Sequence, residues 1–165
     1  MNIREVHVSD AEKLSTLIQQ VDETSEYMLW EPGERNISGD QQEKMIDSFL
    51  EKANSTILVA EFEGQLVGYL LAMGGNARRN SHSAYVVLGV LQGYRGHGIG
   101  TRLFSELERW ATESDIHRLE LTTVVRNEAG VSLYKKMGFE IEGTKRDSLF
   151  IGGEFVDEYY MSKIL

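Results

Sequence analysis

Apolar positions along this chain recur with two periods, about 3.6 and 2, and the switches between them mark out its elements. Asn2–His7 alternates and predicts a short first strand. Ser9-Asp10-Ala11-Glu12 has the form of a capping box, and it opens a helix carrying Leu14, Leu17, Ile18 and Val21 on one face. Residues 23–37 show no period and contain the single proline, Pro32, followed by Gly33. Ser38-Gly39-Asp40-Gln41 is a second capping box, with Met45, Ile46, Phe49 and Leu50 as the apolar face of the helix it starts. Ser55–Phe62 and Gln65–Met73 are strand-like runs joined by Glu63-Gly64, a two-residue hairpin signal. After a loop at 74–81, Ala84–Leu91 reads as a buried strand. A glycine-dense segment, Gly93–Gly100, runs into Ile99, Leu103, Phe104, Leu107, Trp110 and Ala111, an amphipathic helix. Ile116–Val125 is a further strand, and Asn127–Met137 a helix stopped by Gly138. Phe139–Phe150 and Phe155–Ile164 pair through Gly152-Gly153.

The order β-α-α-β-β-β-α-β-α-β-β predicts an α/β or α+β sheet with helices packed on it. No repeat, linker or composition boundary interrupts it, so the expectation is one domain over 1–165. The apolar runs 66–75 and 84–91 are far shorter than the ~20 residues of a membrane span. Met1–Asp10 has charges and no apolar h-region, which points to a cytoplasmic protein with no membrane partner.

Composition changes this picture in three ways. There are no cysteines among the 165 residues, which removes disulfides, thiolate zinc sites and cysteine nucleophiles. The net charge of -9, from 17 basic and 26 acidic residues, argues against a basic nucleic-acid surface. The charge is uneven: residues 1–56 hold twelve acidic against five basic side chains, and the rest fourteen against twelve. An acidic third either attracts cations, amines among them, or simply keeps the surface solvated. His7, His97 and His117 have no metal-ligand spacing, so no metal is expected.

Glycine is the third departure, 16 residues with one proline, which is not the balance of a disordered chain. Four of them, Gly93, Gly96, Gly98 and Gly100, lie between a strand and a helix. Successive backbone N–H groups there can converge on one anion, and the helix N-terminus adds partial positive charge. The segment fails as a P-loop, because Ile99 and Gly100 stand where Lys and Ser/Thr are needed. It also fails as a dinucleotide fingerprint, because Thr101 or Leu103 replaces the third glycine.

Arg95-Gly96-His97-Gly98-Ile99-Gly100 does resemble the [QR]-x-x-G-x-[GA] signature of the Gcn5-related N-acetyltransferases (GNAT), in the strand-then-helix context that family has. Asn127 through Phe139 is similar to its N-x-x-A-x-x-L-Y-x-K-x-G-F segment, with Gly130 where the family prefers alanine. The C-terminal run Glu142-Gly143 to Arg146, with Gly153, Asp157 and Met161, looks like members acting on polyamines and protein N-termini. The resemblance spans nearly the whole chain. It implies a mixed, mostly antiparallel twisted sheet of about seven strands, flanked by about four helices and splayed between the fourth and fifth strands.

The same resemblance implies acetyl-CoA as donor and a primary amine as acceptor. The loop Arg95, Gly96, His97, Gly98, Ile99, Gly100 and Thr101 would hold the pyrophosphate, with Arg95 a better charge partner than Arg102. Main-chain groups of Leu88 and Val90 would pair with the pantetheine arm like an added strand. Asn127 would cap its helix, reach the cofactor arm, or do both. Tyr134 would protonate the departing thiolate. For a general base, Glu61, Glu120 and His82 are candidates, and a water chain or a neutral amine would serve as well. Glu26, Tyr27 and Glu31 lie in the connector expected over the acceptor, where carboxylates beside aromatics suit a polyamine, amino sugar, lysine or N-terminal amine. A homodimer is compatible with such a fold. The competing readings are a non-catalytic acyl-CoA sensor of the same fold and a nucleotide-phosphate binder of another.

Overall fold

The computed structural model describes all 165 residues. Its strands are β1 (Asn2–Glu5), β2 (Thr56–Phe62), β3 (Gln65–Gly74), β4 (Ser83–Val90), β5 (Arg118–Val124), β6 (Glu140–Ile151) and β7 (Glu154–Ile164). Its helices are α1 (Ala11–Thr24), α2 (Gly39–Leu50), α3 (Ile99–Glu113) and α4 (Glu128–Lys136). The strands form one sheet of seven, the number the resemblance implies, in the order β1-β2-β3-β4-β5-β7-β6. Every neighbouring pair is antiparallel except β4–β5, which is parallel.

Alternation along the strands divides the core into two layers. Leu58, Ala60, Val67, Leu70, Ala84, Val86, Leu119 and Leu121 meet Leu103, Phe104 and Leu107 of α3 on one face. Ile57, Val59, Leu66 and Tyr69 meet Leu14, Leu17, Ile18 and Ile46 of α1 and α2 on the other. No helix is long and apolar enough to cross a membrane.

The two capping boxes have different fates. Ser38 Oγ accepts from the Gln41 N–H and Gln41 Oε1 accepts from the Ser38 N–H, so α2 starts as expected. The box at Ser9 does not form; residues 8–10 make a 3-10 turn and α1 begins at Ala11. Asp10 is held by two nearby residues, its carboxylate accepting two bonds from Arg4 and one from the His7 N–H. The Arg4 guanidinium holds that carboxyl below its usual range. A bidentate charged pair outweighs a neutral cap, worth about 1 kcal/mol.

Residues 25–38 connect α1 to α2, and part of this connector lies beside Leu149, Phe150 and Ile151 of β6. Arg35 fastens this connector: its guanidinium donates to both oxygens of Asp22, which is 2% exposed, and lies 5.7 Å from the Trp30 ring centre. Directly beneath is Tyr69, opposite Gly89 in the β3–β4 register and 1% exposed. A methyl group on Gly89 would come within 2.3 Å of the Tyr69 ring. With the ring walled in, Gly89→Ala is expected to destabilise the fold by about 1–3 kcal/mol, the usual cost of overpacking. Urea denaturation of the variant measures it, and unchanged stability would show that the ring has room to move.

Candidate functional site

β4 and β5 pair over only three residues, Ser83–Tyr85 with Arg118–Glu120, and then part. Leu91 N–H donates to Val67 O on β3, so with a strand's two-residue alternation the main-chain groups of Val86, Leu88 and Val90 point toward β5. Beyond Tyr85 no strand meets them. The Val90 carbonyl is met by Arg95 Nε at 3.0 Å, while the N–H on that residue remains open.

The glycine segment closes the same end of the gap. Gly96 and Gly98 have φ of +76° and +78°, a left-handed conformation that side chains other than glycine adopt at a cost of roughly 1–2 kcal/mol. The first backbone bond of α3 runs from Arg102 N–H to Gly98 O. The six preceding N–H groups, Gly96 to Thr101, donate to no acceptor in the protein. Helix starts leave such donors free, and here the loop extends the row by three. Space at Gly96 and Gly98 is open, so an oxygen can approach the backbone. The row fits a pyrophosphate.

Side chains around the cradle differ from expectation in two places. Arg95 has partners within the protein: its guanidinium donates to Val90 O and, at 3.5 Å, to Thr24 Oγ1 at the end of α1. A backbone carbonyl and a helix end together outcompete solvent for it. Arg102 turns to Met1 O. The cation the sequence reading missed is Lys136, whose Nζ lies 3.4 Å from Thr101 Oγ1. Its placement follows from α4 docking beside α3, which no local pattern reveals. His97 and Gly100 sit in the row as expected, and Ile99 anchors it in the core.

Asn127 caps α4, its Oδ1 accepting from the Gly130 N–H. A methyl on residue 130 would lie 2.5 Å from the Asn127 amide nitrogen, which accounts for glycine there. Tyr134, one turn further on, packs edge-on against Phe104 with ring centres 5.7 Å apart. Burial pushes its phenol up to about 12, and the nearby Tyr85 phenol adds to the shift. Tyr134 therefore stays protonated through neutral pH, as a proton donor must. Tyr85 reaches across the start of the gap to Thr122 Oγ1 at 2.8 Å.

On the α1–α2 face, a cleft of about 590 Å³ opens between the connector and the β6–β7 hairpin. Glu26 and Glu31 line it, together with Glu34, Met28, Leu29 and Trp30. Tyr27 does not; its backbone N–H turns to Ser25 Oγ instead. The far wall is Leu149, Phe150 and Ile151. Phe150 packs at a tilt of 56° against Phe155, ring centres 5.0 Å apart, while both stay exposed, and these aromatics flanking the Gly152-Gly153 turn were the available sequence signal.

The three candidate bases are elsewhere or engaged. Glu61 accepts from Arg4 on β2, two strands from the gap. Glu120 lies in the paired stretch and is held by Arg118. His82 precedes β4 at the opposite end, 6.3 Å from His117.

The family model described as the acetyltransferase (GNAT) family matches residues 21–139. L-amino acid N-acetyltransferase AaaT of Escherichia coli K12 is 31% identical over 98% of this chain and 90% of its own. The crystal structure of a GNAT-family acetyltransferase from Streptococcus pneumoniae superposes with a TM-score of 0.95 at 27% identity, over 99% of this chain and 98% of that one. Ribosomal-protein-alanine N-acetyltransferase from Brucella melitensis gives 0.89 at 28% identity, over the full length of both.

The strands bearing the far wall are braced by charge. Arg118 donates twice to Glu142, and the Ser162 hydroxyl adds a third bond. Together they hold the Glu142 carboxyl down at about 2, from an ordinary 4.5. A lowered acid stabilises the fold above its unfolded pKa, and that contribution disappears as pH falls through the folded one. Glu142→Gln is therefore expected to lose less stability than the parent between about pH 5 and about pH 2. Denaturant titrations at the two pH values test this, and parallel losses would mean that the brace adds nothing.

Proposed function

We propose, from the premise that this chain belongs to the acetyltransferase (GNAT) family and is an acyltransferase, that it moves an acetyl group from acetyl-CoA to a cationic primary amine by direct attack on the thioester. One observation carries the reading: six successive free N–H groups beside an unpaired strand edge. The donor supplies an activated acyl carbon with a thiolate leaving group. Gly96 to Thr101 would hold its pyrophosphate, with Lys136 beside them. Leu88 and Val90 would pair with its pantetheine arm, and the open N–H of Val90 would polarise the acyl carbonyl. Arg95 keeps the end of β4 in place for this. Asn127 keeps its capping bond and has its amide N–H₂ free to meet the arm. Tyr134 donates a proton at the sulfur.

The acceptor would enter by the cleft on the opposite face. Glu26 and Glu31 favour an ammonium there, and Trp30 and Phe150 offer flat apolar walls. That combination suits a polyamine, an amino sugar, a lysine or the N-terminal amine of a peptide. The AaaT resemblance favours a second reading, a free L-amino acid, whose carboxylate the glutamates would oppose.

Calorimetry should show CoA binding and no ATP or NAD binding of comparable strength; tight ATP binding without CoA would defeat the reading. Tyr134→Phe should lower turnover by roughly 10²-fold or more with CoA affinity intact. Unchanged turnover removes the phenol from the chemistry. Acetylation of spermidine, glucosamine, Nα-blocked lysine and a short peptide should exceed that of a neutral free L-amino acid. The reverse order sinks the charge argument.

A further inference from the structure

Within that acetyl-transfer reading, on which this inference rests, we propose that Glu158 is the general base that deprotonates the acceptor amine. Continuing the β4–β5 register past Tyr85 and Glu120 brings Val90 level with Val125. Val124 lies opposite Glu158 on β7. Directly opposed residues of neighbouring strands share a face. Buried odd-numbered residues of β5, Leu119 and Leu121, face α3, so Val124 and Glu158 face the other way. That is the side on which the cleft opens. Val156, two residues before Glu158 on the same face of β7, lies opposite Leu149 of β6 in the cleft wall. Glu158 thus lies on the cleft's face of β7, two residues beyond the wall at Leu149 and Val156 and, by register, about level with Val90.

Its carboxylate is also available. Glu158 is half-buried, and its one side-chain partner is the Ser148 hydroxyl, which donates to Oε1. Oε2 is left open. Lys145 of β6 lies opposite in register without forming an ion pair. Beyond it, Asp147 turns its N–H to Asp157. From β5 the neighbour is apolar Val124; Arg126 past the strand end pairs with Glu154. From β4 the titratable group is Tyr85, bonded to Thr122, and from the connector Glu26, Glu31 and Glu34. On β4 itself the positions facing the cleft, Tyr85, Val87 and Gly89, include no carboxylate. The Ser148 bond keeps the Glu158 side chain aimed while one oxygen receives a proton.

The acceptor ammonium gives one proton to Glu158, directly or through one water. The freed lone pair forms the C–N bond at the acyl carbon, and the C–S bond breaks. The thiolate takes a proton from Tyr134, and the second proton of the nitrogen replaces it. Glu158 then releases its proton to solvent, one per turnover.

Glu158→Gln tests the assignment, with spermidine and Nα-blocked lysine as acceptors. The variant should lose roughly 10²-fold in kcat/KM at neutral pH and recover toward the parent rate at alkaline pH, where the amine loses its own proton. The acid limb of the pH profile should move from its place in the parent to the alkaline range where the free amine forms, CoA affinity by calorimetry should not change, and Glu158→Asp should restore part of the rate. A parent-like rate and acid limb in Glu158→Gln overturn the assignment while leaving the acetyl-transfer reading intact. A loss of rate that is the same at every pH, or a matching loss of CoA affinity, also overturns it, because those are structural effects. A parent protein that binds CoA and acetylates none of the amines overturns both.

Discussion

The break in hydrogen bonding between β4 and β5 is the constraint on which everything else depends. Backbone donors and acceptors inside a protein are nearly always paired, and a sheet normally pairs them without interruption. Here a parallel ladder runs for three residues and stops. Each neighbouring feature can be understood as a way of living with that stop. Arg95 takes the carbonyl at Val90, Tyr85 and Thr122 bond across the vertex, and α4 with Phe139 fills the apolar space below. What these leave open is the inner edge of β4 and the row of N–H groups at its end. The site is therefore less an addition to the fold than the part of the sheet that the protein does not complete itself.

Much of this was legible in the sequence because the signals are local. Eleven elements in the right order come from period, capping and turn residues. The cradle comes from glycine spacing, and the second capping box from four residues. What could not be read depends on partners distant in sequence. The first helix starts at Ala11 and not at the Ser9 box, with Asp10 bonded to Arg4, which Glu61 holds in turn from the neighbouring strand β2. The bonds of Arg95 to Val90 O and to Thr24 at the end of α1 have no trace in its spacing to the glycines. Lys136 and Glu158 are ordinary surface charges until the docking of α4 and the register of β7 place them. The irregular pairing of β6 against β7 between Lys145 and Leu149 hides that register further, since it breaks the two-residue alternation on which a face assignment relies.

The charge imbalance takes a more definite shape as well. The acidic first third supplies both the buried Asp22, which anchors the connector through Arg35, and the exposed Glu26, Glu31 and Glu34 at the cleft. One negative charge is structural and the others are presented to solvent. Burial holds the Asp22 carboxyl above its ordinary range even with Arg35 beside it, which marks how dry the junction between connector and sheet is.

The unfinished inner edge of β4 also ties the protein's persistence to its surroundings. A molecule that lies along that edge and fills the N–H row supplies bonds that the chain alone cannot make, and it can do so only while the strands are folded. Such a ligand stabilises the native state by RT ln(1 + [L]/Kd), about 2.7 kcal/mol at a hundredfold excess over Kd. The folded population, and with it resistance to proteolysis, then rises and falls with the supply of that molecule. The gap in the sheet makes the protein a passive gauge of its own substrate.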